Sequence, residues 1–449
     1  MIARHALLAL ASAAACASVP GGAPASEQSQ IAHRLDRYVA PLVEAHELSG
    51  SFLVTRGGRT LAERSYGMAN REHAVPATSD TRYVIGSISK EFTAAAIVLL
   101  AQQGRLGLDD HLEKYVPGFA SGDAITLRQM LRHTSGISRD LPTLTDAAVP
   151  HSTAELAEII RRLPLASAPG ARYGYSNNAY KLLAYVIEQV SGETYASYLG
   201  HAFFEPLGMR NTGELTSLTI VPHLASGYTP GFGPDGFGAA PHLDISNNRG
   251  AASLYSTPRD LAIWSERFLL QGFPYPSARD TLLAGSGLGV GVATRNGHRV
   301  ISHDGVWQGY TSVATTYPDE QLTVIYLGNT ETAASVSPLQ VALESIAFGD
   351  DVAAPTVIPR GAPIPPARMS DYVGRYDFFP GLTATIRPMY GTLVLGVGEG
   401  EYPLEWVGDD RMFFRLKHAS VSFIRAASGR VNALEWREAG NMYPAKRVE

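Results

Sequence analysis

The first candidate for chemistry is a serine followed three residues later by a lysine. Ser87 and Lys90 form the only Ser-x-x-Lys arrangement in a chain with five lysines. Apolar periodicity predicts a helix over residues 87–103, and residues three apart on a helix share a face. Lys90 can therefore act as the base that a serine nucleophile needs, and backbone amides at the helix start can stabilise an oxyanion. Ser87 is equally suited to be an ordinary helix N-cap.

The second candidate is Tyr175-Ser176-Asn177, which stands just before a predicted helix over residues 178–190. In extended backbone, residues i and i+2 project to the same side, so the phenol and the amide would face one cleft. A phenol can relay a proton to a leaving group, and an amide can hold a substrate carbonyl and the lysine amine. The alternative is a core tyrosine beside an asparagine that caps the next helix.

The third candidate is His303-Asp304-Gly305, which ends one predicted strand, with Gly309-Tyr310 opening the next. An edge strand beside a nucleophile can supply a backbone N–H for the oxyanion and a histidine side chain for the substrate. The alternative is a histidine in an ordinary hairpin turn.

In this order, the three motifs resemble those of the serine β-lactamase-like proteins. That family includes class C β-lactamases, D-Ala-D-Ala carboxypeptidases, D-aminopeptidases and related esterases. Residues 83–93 resemble its first motif, Tyr175-Ser176-Asn177 resembles the second, and His303-Asp304-Gly305 resembles the His-x-Gly form of the third. The resemblance covers about residues 30–348 and includes supporting stretches at 131–136, 206–209 and 256–262.

The resemblance implies a role for each matching position. Ser87 would be the acylated nucleophile, Lys90 its base partner and Tyr175 the proton relay. The backbone amides of Ser87 and Val306 would form the oxyanion hole. The positions implied to contact substrate are Asn177, His303, Gly305, Val306 and Tyr310.

One departure from the family pattern bears on the substrate. β-Lactamases and carboxypeptidases usually place a lysine where this chain has His303, and that lysine meets a substrate carboxylate. A histidine is mostly neutral at pH 7. We therefore expect a serine hydrolase of the esterase or D-aminopeptidase/carboxypeptidase type, acting through an acyl-enzyme on uncharged esters, amides or peptides. The alternatives are a true class C-type β-lactamase and a penicillin-binding sensor that acylates without turnover.

The pattern around these motifs predicts an α+β domain, with an antiparallel sheet and a helical subdomain. Strands flank Gly57-Gly58, helical patterns fill the middle, and period-two patterns return after about residue 288. Both ends of this domain would then contribute to one sheet. The predicted late strands span 289–294, 299–302, 310–317 and 322–327.

A proline-rich stretch separates two predicted domains. Residues 350–368 contain five prolines, which is typical of a semi-rigid linker. We expect the catalytic domain at residues 26–349 and a small all-β barrel at residues 369–449. This barrel is similar to the lipocalin-like appendage of many such hydrolases, which implies that it shields or shapes the cleft. Its strand-like runs span 372–376, 384–387, 392–395, 411–416, 421–425 and 431–436.

Residues 1–25 are typical of a signal peptide, with a short polar start, an apolar stretch and the cleavage pattern Ala23-Pro24-Ala25. We expect export to the periplasm or secretion. A second processing pattern, residues 13–16, resembles a lipoprotein box and would leave Cys16 lipidated as a membrane anchor. No later apolar run reaches the length of a transmembrane helix.

Composition narrows the partners further. The formal charge of −5 carries no basic run, so nucleic acid is not an expected partner. The thirteen histidines lack metal-binding spacing, and Cys16 is the only cysteine, so we expect neither metal nor cofactor. An α/β-hydrolase esterase is not indicated either, because the chain has no Gly-x-Ser-x-Gly motif. A small-molecule or peptide substrate is the expected partner.

Overall fold

A computed structural model describes residues 26–141, 148–233, 236–332, 337–357, 360–362, 364–379, 382–397, 400–438 and 440–448. The predicted signal peptide at residues 1–25, including Cys16, lies outside the described residues, as do Pro359 and Pro363 of the predicted linker. Among the described helices, none is both long and apolar enough to cross a membrane.

The described helices and strands follow one another in a mixed order. The helices are α1 (Glu27–Glu44), α2 (Ser89–Gln102), α3 (Leu127–Leu131), α4 (Thr153–Arg161), α5 (Asn177–Ser191), α6 (Tyr195–Leu199), α7 (Glu205–Leu207), α8 (Pro258–Ile263), α9 (Pro276–Leu282), α10 (Ser337–Phe348) and α11 (Pro366–Tyr372). The strands before α10 are β1 (Gly50–Arg56), β2 (Arg59–Tyr66), β3 (Met68–Asn70), β4 (Val75–Pro76), β5 (Tyr83–Val84), β6 (Gly213–Glu214), β7 (Tyr228–Pro230), β8 (Phe237–Ala239), β9 (Leu254–Ser256), β10 (Gly291–Arg295), β11 (His298–Trp307), β12 (Tyr310–Tyr317) and β13 (Leu322–Gly328).

A six-stranded antiparallel sheet supports the first part of the chain, with the order β10-β11-β12-β13-β1-β2. Early and late strands therefore meet in one sheet, as the sequence predicts. Because side chains alternate along a strand, Phe52 and Val54 of β1 face a cluster that includes α1 and α10, whereas Leu53 faces the cluster formed by α2 and the other helices. The sheet is thus covered on both faces.

The central helix α2 is buried on all sides. Every residue from Ser89 to Leu100 is buried, which is the expected environment for a helix that is mainly apolar on all sides, and the polar Lys90 and Glu91 are buried with the rest. The helix predicted over residues 87–103 is found as α2, but α2 starts only at Ser89. A separate 3-10 turn, Gly86–Ile88, precedes it and contains Ser87. A similar change of helix type occurs after α8, which continues as a π-helical segment, Trp264–Leu270.

The predicted end of the strand at the third motif is wrong. Strand β11 continues through His303-Asp304-Gly305 to Trp307, and its ladder with β12 runs on to the pair Trp307↔Tyr310. Sequence periodicity missed this because an aspartate followed by a glycine is typical of a turn. The third motif therefore lies inside a regular strand.

A closed eight-stranded barrel forms the C-terminal part of the chain. This finding, together with the sheet and its helices, confirms the predicted α+β architecture with an all-β barrel. The barrel strands are β14 (Gly374–Phe379), β15 (Leu382–Met389), β16 (Thr392–Val397), β17 (Gly400–Gly408), β18 (Arg411–Phe414), β19 (Ala419–Arg425), β20 (Val431–Glu438) and β21 (Asn441–Arg447).

Three details of the barrel differ from the sequence prediction. Tyr372, predicted to start a strand, ends helix α11, which itself begins inside the predicted linker. Strands β17 and β21 were not predicted. Each contains a proline, Pro403 or Pro444, and a proline inside an apolar run counts against a strand.

Candidate active site

Ser87 lies in the 3-10 turn that leads into α2. The preceding Gly86 has φ +51°, a left-handed conformation that favours glycine, and a Cβ there would lie only 2.9 Å from the backbone nitrogen of Val306. This close approach holds the turn against β11. A hydrogen bond makes a second contact between the sheet and this turn: the hydroxyl of Ser312 in β12 donates to the carbonyl of Ile85 at 2.8 Å.

Lys90 is completely buried in the first turn of α2. Its Nζ lies 3.0 Å from Ser87 Oγ and donates to the carbonyl of Ala251 at 2.8 Å. The ring centroids of Tyr175 and Tyr180 are 4.9 and 5.6 Å from Nζ. Burial lowers the pKa of Lys90 well below its usual range, because the ammonium loses its hydration. The environment therefore favours the neutral amine.

Tyr175 reaches Ser87 from the segment that precedes α5. Its hydroxyl donates to Ser87 Oγ at 2.9 Å, so the serine oxygen has two polar neighbours from two distant parts of the chain. Burial raises the pKa of Tyr175 to about 12. Near neutral pH the side chain is therefore a phenol, which can give up its proton but is not itself the base.

His133 orients Tyr175, a role that the sequence did not assign. The two rings stack with centroids 4.3 Å apart, and His133 Nδ1 accepts a hydrogen bond from the backbone of Ser176 at 3.1 Å. Burial, with a smaller effect of the Lys90 charge, lowers the pKa of His133 to about 3, so the imidazole stays neutral. The supporting stretch at residues 131–136 was the signal that pointed to this position.

Asn177 is the first residue of α5, and Ser176 is its N-cap. The Asn177 amide donates to Asp140 Oδ1 at 2.7 Å, which differs from the expected contact with the lysine amine. The backbone nitrogen of Asn177 donates to the carbonyl of Arg139 at 2.8 Å. In this structure Asn177 thus anchors the segment that carries Tyr175 to residues 139–140.

His303 lies on β11 and is partly buried. Its Nδ1 is 2.6 Å from the carbonyl of Asp304, which fixes the ring with Nδ1 as the donor. Desolvation, with a smaller effect of Lys90, lowers the pKa of His303 below its ordinary value. The third motif therefore offers a neutral hydrogen-bonding group rather than a fixed cation.

Gly305 makes close contact with the turn that carries Ser87. A Cβ at this position would lie 2.2 Å from the carbonyl oxygen of Ile85 and 2.9 Å from the backbone nitrogen of Ser87. The next residue, Val306, has its own backbone nitrogen beside Gly86. The amides of Ser87 and Val306 are consequently brought together where β11 passes the turn.

Tyr310 begins β12, directly opposite Trp307. Its hydroxyl donates to the carbonyl of Ala225 at 2.6 Å, and its ring packs against Gly227. The side chain thus holds the loop before β7 and forms part of a cavity wall.

Two cavities lie at the two ends of the β11 segment that passes Ser87. One, of about 530 Å³, is lined by Tyr175 and His303 and by residues just before Gly305. The other, of about 480 Å³, is lined by Trp307 and Tyr310. A substrate laid along β11 would therefore extend into a different cavity at each end.

Among the described residues, no group of three or more His, Cys, Asp or Glu side chains is arranged to hold a metal ion. The polar groups at Ser87 belong instead to a lysine, a tyrosine and two backbone amides. Together they form a set suited to nucleophilic attack on a carbonyl and stabilisation of the resulting oxyanion.

Comparison with protein families matches residues 35–344 to the family described as Beta-lactamase. Penicillin-binding protein 4* of Bacillus subtilis (strain 168) is 28% identical over 413 residues, which cover 85% of this chain and 91% of that protein. The match to this relative thus extends over most of both chains.

Solved structures share the fold at lower sequence identity. SurE aligns with a TM-score of 0.63 and 22% identity, covering 94% of this chain and 99% of that chain. D-amino acid amidase from Ochrobactrum anthropi SV3, solved with L-phenylalanine, aligns with a TM-score of 0.64 and 20% identity over 71% of this chain and 98% of that chain.

Proposed function

Because this chain belongs to the beta-lactamase family and is a serine hydrolase, we propose that it cleaves uncharged amides, peptides or esters through an acyl-enzyme on Ser87. One observation carries the proposal: Lys90 Nζ and Tyr175 Oη lie 3.0 and 2.9 Å from the same oxygen, Ser87 Oγ. A serine hydroxyl with a base and an acid at hydrogen-bond distance is equipped for both halves of acyl transfer.

The two neighbours of Ser87 take different parts in the reaction. The buried Lys90 amine accepts the hydroxyl proton as Oγ attacks the substrate carbonyl, while its own N–H remains bonded to Ala251. The phenol of Tyr175 delivers a proton to the leaving group and regains one from the Lys90 ammonium, while the backbone amides of Ser87 and Val306 receive the oxyanion. In the second half, the neutral Lys90 amine accepts a proton from a water molecule as that water attacks the acyl carbonyl. The bond between the acyl carbon and Ser87 Oγ then breaks, Oγ regains a proton, and the acid product leaves.

The position of Tyr175 sets the direction in which the substrate lies. Since Tyr175 lines the cavity beside His303, that cavity receives the leaving group. The acyl group then extends to the other side of Gly305, into the cavity beside Trp307. The neutral His303 therefore faces the leaving group, which explains why we expect poor hydrolysis of substrates with an anion there.

Acidic side chains line the cavity on the acyl side. Glu72 is exposed, and a hydrogen bond from the Tyr228 hydroxyl lowers the pKa of its carboxyl group, so it is ionised. Asp244 is buried, and although burial opposes its charge, hydrogen bonds from Ser217 and Ser246 keep the pKa of its carboxyl below the ordinary value. Two carboxylates favour a cation in this cavity, which His73 and His242 also line. We therefore propose acyl groups with a free amino end, as in an aminopeptidase or amino-acid amidase.

The test is a comparison of kcat/KM for D-alanine p-nitroanilide, its N-acetyl derivative, p-nitrophenyl butyrate and nitrocefin. We expect the free amine to be preferred over the N-acetyl form by about tenfold or more, the value of one charge-assisted hydrogen bond. Nitrocefin should be the slowest. Glu72→Gln should reduce the preference for the free amine, while Glu44→Gln on the exposed face of α1 should leave it unchanged.

Other outcomes would contradict the proposal in distinct ways. If nitrocefin were the best substrate, a true β-lactamase would be the correct assignment. If each substrate gave one equivalent of product and then stopped, the protein would be a sensor that acylates without turnover. Equal rates for the free and acetylated anilides would contradict the proposed preference for a free amine, which is argued from Glu72 and Asp244. They would not contradict the assignment of a serine hydrolase.

A further inference from the structure

The C-terminal barrel is filled with side chains in one half and hollow in the other. In the filled half, Ile386, Leu393, Val421 and Phe423 are buried in one apolar cluster. The hollow half contains a cavity of about 560 Å³. That volume lies within the range of small-molecule sites in proteins.

Helix α11 closes the filled end. The ring of Tyr372 is fully buried there and lies 4.7 Å, centroid to centroid, from that of Phe423. The Tyr372 hydroxyl donates to Asp410 Oδ1 at 2.6 Å, and Asp410 also accepts from Arg368 at 2.6 Å and from Arg425 at 2.8 Å. These contacts join the helix to the turns at that end. The barrel is therefore closed at the end that α11 covers.

The wall of the hollow half is mainly aromatic. The ring centroids of Tyr402 and Phe414 are 5.5 Å apart, and those of Phe414 and Trp436 are 5.2 Å apart. The small side chain of Ala384 and that of Leu395 line the same space. A cavity with these walls favours an apolar occupant, because burial there removes hydrocarbon surface from water.

Polar groups at the mouth of the cavity indicate which end group its occupant carries. Trp436 Nε1 donates to Glu438 Oε2 at 3.0 Å, so this carboxylate has a partner. In contrast, Lys417 is exposed, and although its charge acts on Glu331, no carboxylate in the described part of the chain lies within 4.0 Å of its Nζ. Lys417 and Asn441 thus present hydrogen-bond donors at the rim of an apolar cavity.

We propose that this barrel binds an acyl chain that ends in a carboxylate. The hydrocarbon would occupy the hollow half, with its end against Ala384 and Leu395, and the carboxylate would bond to Lys417 at the mouth. This site is separate from Ser87 and does not depend on the proposed hydrolase substrate.

The experiment measures binding of a fluorescent fatty acid, 11-(dansylamino)undecanoic acid, to the full chain. We expect a saturable rise in dansyl emission that dodecanoate reverses at lower concentration than dodecanol, and dodecyltrimethylammonium reverses least. Lys417→Glu should weaken the binding of dodecanoate by about tenfold or more, since the substitution replaces a charge-assisted hydrogen bond by repulsion. Dodecanol should displace the probe equally well from both proteins.

Two further variants make the result specific to the cavity. Lys446→Glu makes the same charge change on an exposed residue of β21 and should leave dodecanoate binding unchanged. Ala384→Phe fills the hollow half and should abolish binding while hydrolysis of p-nitrophenyl butyrate persists. No saturable binding by the unaltered chain would overturn the proposal, and so would binding that survives Ala384→Phe in a folded protein. If Ala384→Phe failed to fold, equal effects of Lys417→Glu and Lys446→Glu would overturn it.

Discussion

At the scale of single residues, burial assigns different proton states to the two neighbours of Ser87. It lowers the pKa of the Lys90 ammonium and raises the pKa of the Tyr175 phenol to about 12. The same desolvation has opposite effects because it always favours the neutral form. An amine ready to accept a proton and a phenol ready to donate one are thereby kept on the same oxygen near neutral pH.

The first prediction concerns pH. Acidification protonates Lys90, and the ammonium no longer has the lone pair that accepts the Ser87 proton. The value of kcat/KM for p-nitrophenyl butyrate should therefore fall as pH decreases through the lowered pKa of Lys90 and stay on a plateau above it. The profile is measured from about pH 5 to about pH 9, the range in which tuned bases titrate. A rate that rises on acidification would contradict the role of Lys90.

The second prediction separates Tyr175 from Lys90. Tyr175→Phe removes the acid but leaves the base, so an amide with a poor leaving group should suffer most. We expect kcat/KM for D-alanine p-nitroanilide to fall by about 10²- to 10⁴-fold, the usual contribution of general acid catalysis. Hydrolysis of p-nitrophenyl butyrate, whose phenolate departs without protonation, should fall much less. Equal losses on both substrates would argue that Tyr175 only supports the structure.

At the scale of elements, the site depends on how closely β11 passes the 3-10 turn. Gly305→Ala would place a methyl group 2.2 Å from the carbonyl of Ile85 and 2.4 Å from Ser312 Oγ. The strand and the turn must then separate, which moves the Val306 amide away from the oxyanion. We expect kcat to fall by about 10²-fold or more, as for loss of an oxyanion donor.

The matched control for that change is Gly200→Ala. A Cβ on Gly200 meets nothing within 4 Å, so activity should be retained. Steady-state kinetics and the thermal unfolding midpoint are measured for both variants. Full activity in Gly305→Ala would show that close approach of β11 is not required.

Much of this arrangement could be predicted from sequence because its signals are local. The Ser87–Lys90 spacing and the apolar run of α2 each depend on residues close in the chain, whereas the cap of α5 is Ser176 and not the expected Asn177. Other features depend on contacts between distant segments. Gly305 resembles a turn residue until the turn at Ile85 is placed beside it, and Asn177 turns to Asp140 because residues 139–140 pack against the start of α5. Only the tertiary structure supplies such neighbours.

At the scale of the whole molecule, a buried ion pair joins the barrel to the first part of the chain. Arg415 of the barrel bonds to Glu47, which follows α1, and its Nε donates to Glu405 Oε1 at 2.6 Å. The side chains of Arg415 and Glu47 are only 4% and 1% exposed. Burial raises the pKa of Glu47, and the charge of Arg415 opposes this shift more strongly than that of Arg360 does.

The fourth prediction tests this junction. Arg415→Met leaves Glu47 buried without this cation, and loss of one member of a buried pair costs about 3–5 kcal/mol. We expect a lower urea midpoint of unfolding, partly restored by adding Glu47→Gln. Arg387→Met breaks an exposed pair with Glu401 and should cost at most about 1 kcal/mol. If Arg415→Met unfolded at the same urea midpoint as the unaltered chain, the junction would not contribute to stability.

The central claim, that Ser87 becomes acylated, is tested most directly by trapping the intermediate. The protein is mixed with p-nitrophenyl butyrate, quenched in acid and digested, and the butyryl group is located by mass spectrometry. The account predicts a butyryl group on the peptide that carries Ser87, and none on that peptide after Ser87→Ala, with turnover lost. A butyryl group on another residue, or full turnover by Ser87→Ala, would contradict it.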